Sequence, residues 1–196
     1  MQTHYVNKCN TMTKDEIRES MRQKRRNLSS KFINEASIKI TDSVISDGDI
    51  KTAKTVMVYL SAFREPDTRD IINFLLKTGI KTVVPVSNTD TLTITPSLIS
   101  SMENLVKGAY GIYEPKTIIT VPIHEIDTIL VPAVAFSRSG DRLGFGKGYY
   151  DKLLMNFKGT VIGIGYDFQV IDELPSLPHD IRMNKIITEK RIYDDF

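Results

Sequence analysis

The 196-residue sequence contains a single cysteine, Cys9, so an internal disulfide is excluded. No apolar run approaches the length of a membrane span, and the formal net charge is only +2. The chain therefore lacks the basic excess that drives nucleic-acid binding. Its first dozen residues lack both the apolar centre of a signal peptide and the arginines of a transit peptide. We expect a cytoplasmic protein with no nucleic-acid partner and no membrane partner.

The rest of the composition is that of an ordinary globular domain. Hydrophobic residues make up 41% of the chain and charged residues 26%, which predicts a sizeable buried core. The length suits one domain. We expect residues 1–12 to form a flexible leader and residues 13–196 to form a single domain that acts as a monomer.

Helix-like and strand-like segments alternate along the chain. Four apolar runs lack apolar–polar alternation, which indicates strands covered on both faces. They lie at 55–60, 80–86, 129–136 and 160–165, with shorter strand patterns at 92–95 and 185–188. Apolar residues at helical spacing predict helices over 13–27, 32–45, 68–77 and 149–157. The pattern predicts an α/β fold, a three-layer α/β/α arrangement with a mostly parallel, Rossmann-like central sheet.

The most informative segment is the glycine-rich loop at 140–151, between a predicted strand and a predicted helix. Such a loop presents backbone N–H groups to a phosphate. It is not a Walker A motif, since residue 148 is glycine, and its Gly-x-Gly-x-Gly spacing differs from the dinucleotide fingerprint. Gly144, Gly146 and Gly148 would let the backbone approach phosphate oxygens. The alternative is a flexible turn with a solvated lysine.

Charged side chains within and after this loop suit the same chemistry. Arg142 and Lys147 would neutralise phosphate charge, and Asp151 would reach a magnesium ion. Tyr149 and Tyr150 open the predicted helix, where one could contact a ligand while the other packs in the core.

The first predicted helix carries a basic stripe. Lys14 lies in its first turn, where the helix dipole disfavours a cation. An anionic ligand and a solvated face are therefore about equally supported for Lys14 and Arg18. A solvated face is the preferred interpretation of the remaining basic residues of this helix, Arg22, Lys24, Arg25 and Arg26.

Further candidates lie in predicted loops. Glu65 follows a buried strand, at the sheet edge where open α/β sheets bind ligands. It has no evident capping role and could accept a hydrogen bond from a ligand N–H. Tyr110 either covers a flat ligand or packs its loop onto the core. Asp180 is a second candidate metal neighbour or a loop cap.

The sequence resembles the 5-formyltetrahydrofolate cyclo-ligase family, also called 5,10-methenyltetrahydrofolate synthetases. The strongest match is the segment 131–136 followed by 140–151, which is close to V-P-G-x-x-F and then G-x-R-L-G-x-G-x-G-Y-Y-D. Weaker matches run in family order from about residue 13 to 190. Three positions depart from the family pattern: Ala133 replaces a usual glycine, Phe145 occupies a variable position, and Asn184 replaces a common aspartate.

The resemblance implies a cyclo-ligase-type fold and an ATP- and Mg²⁺-dependent activity. The implied reaction converts 5-formyltetrahydrofolate, with or without a polyglutamyl tail, to 5,10-methenyltetrahydrofolate, through phosphorylation of the formyl oxygen and release of ADP and phosphate. The implied ATP contacts are Lys14, Arg18, Arg142, Leu143, Gly144, Phe145, Gly146, Lys147, Gly148, Tyr149 and Tyr150. The implied catalytic residues are Lys147, Arg142 and Tyr150. The implied folate contacts are Leu60, Glu65, Tyr110 and Tyr149, and the implied metal ligands are Asp151 and Asp180.

Two other classes of function stay open on the residues alone. One is a different phosphate-handling enzyme on a related three-layer sheet, such as a sugar-phosphate isomerase, which would leave Asp151 and the tyrosines without a role. The other is a non-enzymatic nucleotide or RNA binder that uses the basic helix. Such a binder should carry more positive charge than +2.

Overall fold

The computed structural model describes residues 12–108, 112–175 and 181–196. The helices are α1 (Lys14–Arg26), α2 (Ser30–Ser46), α3 (Gly48–Thr52), α4 (Arg69–Lys77) and α5 (Tyr149–Leu154). The strands are β1 (Thr55–Val58), β2 (Lys81–Asn88), β3 (Thr93–Ile99), β4 (Leu105–Lys107), β5 (Tyr113–Pro115), β6 (Thr128–Pro132), β7 (Ala135–Ser137), β8 (Arg142–Leu143), β9 (Thr160–Ile164), β10 (Val170–Ile171), β11 (Lys185–Ile187) and β12 (Ile192–Tyr193). Residues 1–11 of the predicted leader lie outside the described residues. In the described part, every helix is too short or too polar to cross a bilayer.

Seven strands form the central sheet, in the order β12-β11-β9-β6-β1-β2-β3. The five inner strands, from β11 to β2 in this order, run parallel to one another. The edge strands β3 and β12 run antiparallel to the inner strands that they pair with. The predicted α/β fold with a mostly parallel sheet is confirmed. Because parallel strands share one direction, their carboxyl ends meet at the same edge.

The sheet is covered on both faces, which gives the three predicted layers. Alternate residues of β1 point to opposite sides, so Val56 and Val58 belong to one apolar cluster and Met57 to another. Helices α2 and α4 cover the first face with residues such as Ile40 and Ile72. The second face is covered by Leu154 of α5, by Phe157 just after this helix and by Phe136 of β7.

The run predicted as one strand over 129–136 is two strands. Strand β6 ends at Pro132, and β7 begins at Ala135 in a separate three-stranded sheet, where it pairs with β8 and β10. The carbonyl oxygens of Ala133 and Val134 accept hydrogen bonds from the buried Gln169 amide, each at 2.9 Å. The prediction was wrong because residues on both sides of the break are buried, so hydrophobicity does not mark it.

Several boundaries also differ from the sequence-based expectation. The predicted helix over 149–157 ends at Leu154, and the pair β4/β5 and the final strand β12 were not predicted. Helix α1 matches closely, because Thr13 and Glu16 form the expected capping box at its start.

Candidate functional site

The glycine-rich loop contains the short strand β8 and continues into the first turn of α5. Gly146 and Gly148 have φ angles of +99° and +71°, in the left-handed region that disfavours residues with a Cβ. The segment between β8 and α5 exposes Phe145 and Lys147 to solvent. The sequence therefore builds a loop whose backbone and lysine are open to a ligand.

Arg142 packs beneath this loop. Its side chain is only 5% exposed, and its Nη2 donates to Asp151 Oδ1 at 2.5 Å. Its Nη1 donates to the Pro132 carbonyl oxygen at 3.3 Å, and the guanidinium lies 5.5 Å from the centre of the Tyr150 ring. A Cβ at Gly144 would lie 3.0 Å from Arg142 Nη1. The buried cation thus joins the start of the loop to the helix that ends it.

Asp151 is 67% exposed despite its bond to Arg142. Within residues 12–108, 112–175 and 181–196, no three His, Cys, Asp or Glu side chains are grouped closely enough to hold a metal ion. Asp180, the other predicted ligand, lies outside the described residues. Asn184 accepts a hydrogen bond from the backbone N–H of Val161 at 2.7 Å, so its side chain fastens the amino end of β9.

Helix α1 lies directly against the loop. Ile17 and Met21 pack in an apolar cluster with Leu143 of β8. Arg18 donates from Nε to the Gly144 carbonyl oxygen at 3.0 Å, and a Cβ at Gly146 would lie 3.4 Å from the Arg18 guanidinium carbon. The structure therefore brings Arg18 and the loop together, with the half-buried Lys14 one turn earlier.

Arg25 is buried, which contradicts the sequence-based interpretation that this residue of α1 lies on a solvated face. Its side chain is 6% exposed, and its Nη1 lies 3.7 Å from Oε1 of Glu65, which is 5% exposed. The sequence did contain a signal, because Arg25 follows Ile17 and Met21 at four-residue intervals and so shares their buried face. This is the residue that the sequence interpretation missed.

Glu65 is held in a tight, strained turn. Its Oε2 accepts from the Ala62 N–H at 3.0 Å, and the intervening Phe63 and Arg64 have φ angles of +50° and +62°. Left-handed backbone costs roughly 1–2 kcal/mol for a residue with a Cβ. Tyr166 supports the turn, since its hydroxyl donates to the Arg64 carbonyl oxygen at 3.1 Å.

Burial sets the protonation behaviour of this region. It raises the pKa of Glu65 to about 7, although the Arg25 charge and the Ala62 N–H act in the opposite direction. Burial also raises the pKa of Tyr150, with a further contribution from the Glu65 charge. The Arg142 guanidinium, which lies against the Tyr150 ring, acts in the opposite direction on this pKa. Tyr149, which precedes it, is half-buried.

Two cavities flank these elements. One of about 430 Å³ contains the predicted folate contact Leu60 in its wall. A second, of about 350 Å³, is lined by Arg25 together with Phe63 and Phe145. Leu60 and Arg25 thus line different cavities, and Tyr110 lies outside the described residues. The remaining lining residues of the first cavity are Ser61, Asp67, Thr68, Arg69, Met102, Leu105 and Tyr113.

The glycine-rich loop, with Arg142 beneath it and α1 against it, lies within the part of the chain that a family model matches. The model of the 5-formyltetrahydrofolate cyclo-ligase family matches residues 10–189. The chain belongs to this family. The predicted ligase of folate one-carbon metabolism is confirmed, whereas the roles assigned to single residues stay predictions.

Individual members of the cyclo-ligase family match over most of their length. The 5-formyltetrahydrofolate cyclo-ligase of Mycolicibacterium smegmatis is 35% identical over 71% of this chain and 76% of its own. The Escherichia coli enzyme of the same name is 29% identical over 89% and 99%. The NMR structure of Aquifex aeolicus 5,10-methenyltetrahydrofolate synthetase superposes with a TM-score of 0.83, at 36% identity over 93% of each chain. A Mycoplasma pneumoniae 5,10-methenyltetrahydrofolate synthetase gives a TM-score of 0.75, at 30% identity over 91% and 99%.

Proposed function

We propose that this cyclo-ligase uses ATP and Mg²⁺ to convert 5-formyltetrahydrofolate to 5,10-methenyltetrahydrofolate, with release of ADP and phosphate. The observation that carries the proposal is the contact between Arg18 and the glycine-rich loop. It places a cation of α1 beside open backbone and the exposed Lys147, as a triphosphate requires. Lys14, one turn earlier on α1, would add a further phosphate contact.

The proposed chemistry needs no protein nucleophile. The formyl oxygen attacks the γ-phosphorus of ATP, and the bond from that phosphorus to ADP breaks. N10 of the folate then attacks the activated formyl carbon, so that a C–N bond forms, the C–O bond breaks and phosphate departs with the N10 proton. Phosphoryl transfer of this kind depends mainly on positioning and charge neutralisation.

Three side chains of the loop, those of Lys147, Arg142 and Tyr150, have a part in this proposal. Lys147 is exposed and unbranched, so it can follow the transferred phosphoryl group. Arg142 is fixed by Asp151 and holds the loop while adding positive charge beneath it. Tyr150 is a neutral hydrogen-bond donor at neutral pH, as an ordinary tyrosine is, and burial raises its pKa further. Backbone N–H groups from Leu143 to Tyr149 would complete the phosphate contacts.

The residues at the loop fit a magnesium ion that arrives with ATP. Mg²⁺ is commonly held by one or two carboxylates together with substrate phosphates, so a large protein cluster is not needed. Asp151 is exposed beside the loop and offers such a carboxylate. Asp180 is proposed as its acidic neighbour. The bound ion would neutralise charge on the phosphate oxygens.

The folate side of the site rests on Glu65, Leu60 and Tyr149. The buried Glu65 carboxylate adjoins Arg25, which lines the second cavity, and a carboxylate can accept hydrogen bonds from the N–H groups of a pterin ring. Leu60 offers apolar surface in the neighbouring cavity, and Tyr149 adjoins the loop at the point where the two substrates must meet. Tyr110 is retained as a proposed aromatic cover over the folate.

Mixing the purified protein with 5-formyltetrahydrofolate and Mg-ATP tests the proposal. We expect the methenyl chromophore to form together with an equal amount of ADP. As a matched control, 5-methyltetrahydrofolate has no formyl oxygen and should release no ADP. Absence of both the chromophore and ADP would contradict the proposal, and methenyl formation without ATP would contradict the phosphorylation step.

A further inference from the structure

Arg25 has an incomplete set of hydrogen bonds. Among the residues that the structure describes, its Nη1 is the buried side-chain nitrogen or oxygen without a hydrogen-bond partner. Glu65 Oε1, at 3.7 Å, is too distant to accept a hydrogen bond from it. A buried donor without a partner destabilises the folded protein, and the cost is larger when the group is charged. A ligand that supplies an acceptor would recover this cost.

The gap between Arg25 and Glu65 is maintained by other contacts. A buried ion pair repays its desolvation best when it closes to direct hydrogen bonding, which this pair does not do. Here Glu65 Oε2 is engaged by the Ala62 N–H, and the Arg25 guanidinium lies 5.3 Å from the centre of the Phe145 ring. A donor and an acceptor therefore lie side by side without satisfying each other.

The adjoining cavity suits a flat heteroaromatic ligand. It measures about 350 Å³, and Phe63 and Phe145 contribute aromatic surface to its wall beside Arg25. Phe63 is 63% exposed. Its backbone also lies in the left-handed region, which is strained for a residue with a Cβ. Aromatic side chains and guanidinium groups both stack on flat rings. The remaining lining residues, Arg22, Arg26 and Arg64, make the cavity cationic.

We propose that Arg25 is a specificity-determining residue that donates from its guanidinium to the 4-oxo oxygen of the pterin ring, while Glu65 accepts from the adjacent ring N–H. A lactam edge carries an acceptor and a donor on neighbouring atoms, which matches a donor and an acceptor 3.7 Å apart. This inference rests on the proposed function, because it assumes that the folate occupies this side of the site. It adds a residue from α1 to folate recognition.

The binding affinities of two folates can distinguish a specific contact of Arg25 with the pterin from a purely structural role of this residue. One is 5-formyltetrahydrofolate, and the other is its analogue with an amino group in place of the 4-oxo oxygen. Calorimetry without ATP should show that the unsubstituted protein strongly prefers the oxo compound, because the 4-amino compound places a donor against Arg25 and lacks the ring N–H from which Glu65 would accept. Arg25→Met should reduce this preference about tenfold or more, since unpaired polar groups dominate such discrimination.

Lys24→Met is the matched control, because Lys24 is the neighbour of Arg25 on α1 but is exposed and lines neither cavity. Its oxo-to-amino preference should stay unchanged. If Arg25→Met weakens both ligands equally and preserves the ratio, Arg25 is only structural and the inference is overturned.

A second variant tests the inference if the first variant does not fold. If Arg25→Met does not fold, Arg25→Lys retains the charge and removes the planar fork, and it should still reduce the preference. An unchanged ratio in Arg25→Lys would overturn the inference. Failure of the proposed function would look different, since the unsubstituted protein would then form no methenyl product from 5-formyltetrahydrofolate and Mg-ATP.

Discussion

Arg18 donates a hydrogen bond from Nε to the carbonyl oxygen of Gly144, at 3.0 Å and across 126 positions of sequence. The bond joins α1 to the glycine-rich loop, and the same guanidinium donates to Asp15 at 2.7 Å. The loop therefore does not stand alone, because its Gly144 is hydrogen-bonded to the cationic helix α1.

Replacing Arg18 should weaken ATP binding selectively. We expect Arg18→Met to raise the KM for ATP about tenfold, equivalent to ~1.4 kcal/mol, because the variant loses both a phosphate-facing charge and the bond to Gly144. The KM for 5-formyltetrahydrofolate should change little. Steady-state kinetics with each substrate varied in turn measures both constants. Lys24→Met, at an exposed position of α1, is the control and should behave as the unsubstituted protein.

Lys147→Ala should affect turnover more than binding. We propose that Lys147 stabilises the transferred phosphoryl group, so its removal should lower kcat about 100-fold, with little change in the KM for folate. Lys152→Ala is a useful comparison, because Lys152 donates to the Thr91 carbonyl oxygen and lies beyond the loop. Equal losses in kcat and in folate affinity would show that Lys147 only holds the bound substrates.

Asp151→Asn should change the magnesium requirement. We expect the Mg²⁺ concentration for half-maximal activity to rise about tenfold, because an amide is a weaker ligand than a carboxylate for this ion. Activity measured against Mg²⁺ at fixed ATP gives this value. The substitution also weakens the bond to Arg142. If ATP affinity without metal falls while the Mg²⁺ requirement stays the same, Asp151 serves only to hold Arg142.

Folate binding should depend on pH through Glu65. The raised pKa of about 7 means that the folded protein holds a proton that the unfolded chain, with a usual value near 4.5, has already lost. Stability therefore falls as the pH rises from about 4.5 to 7. Affinity for folate should rise over the upper part of this range, because the ionised carboxylate is the acceptor.

Glu65→Gln is the test of that dependence. It should remove the pH-dependent change in folate affinity near pH 7 and flatten stability against pH relative to the unsubstituted protein. Calorimetric titration and urea unfolding between about pH 4.5 and 8 measure the two effects. An identical pH profile in both proteins would exclude Glu65 as the titrating group.

Asp141 should support the fold without contributing to catalysis. Burial alone would raise its pKa, but hydrogen bonds from Ser137 and Ser139, with the charge of Arg182, lower it below the usual 3.8. The carboxylate therefore contributes stability above that pH and loses it as the pH falls through the lowered pKa. Asp141→Asn should reduce the free energy of unfolding by about 1–2 kcal/mol at neutral pH.

Urea unfolding measures this loss, and the difference from the unsubstituted protein should shrink in acid. The value of kcat should change little. Ser139→Ala removes one of the two hydroxyl donors to Asp141 and should cost less. A large fall in kcat for Asp141→Asn with unchanged stability would contradict this assignment.

Sequence patterns predicted those elements whose signals are local. The capping box of Thr13 and Glu16 marks the start of α1, and the apolar runs mark β1, β2 and β9. The break between β6 and β7 had no such signal, because it depends on Gln169, more than thirty positions away, which engages two carbonyl oxygens. A non-local hydrogen bond leaves no trace in hydrophobic periodicity.

The residues of the candidate site likewise fall into those that the sequence predicts locally and those that only the tertiary structure brings together. Gly144, Gly146 and Gly148, with Lys147 between them, were identifiable because the spacing within one loop sets what its backbone can approach. The sequence by itself determined the sheet, the loop and the family. Only the tertiary structure decided that Arg25 is buried against Glu65 and that Arg18 reaches Gly144, since each pair joins α1 to a distant part of the chain. Such contacts are set by how α1 packs on Leu143 and its neighbours, which no local pattern encodes.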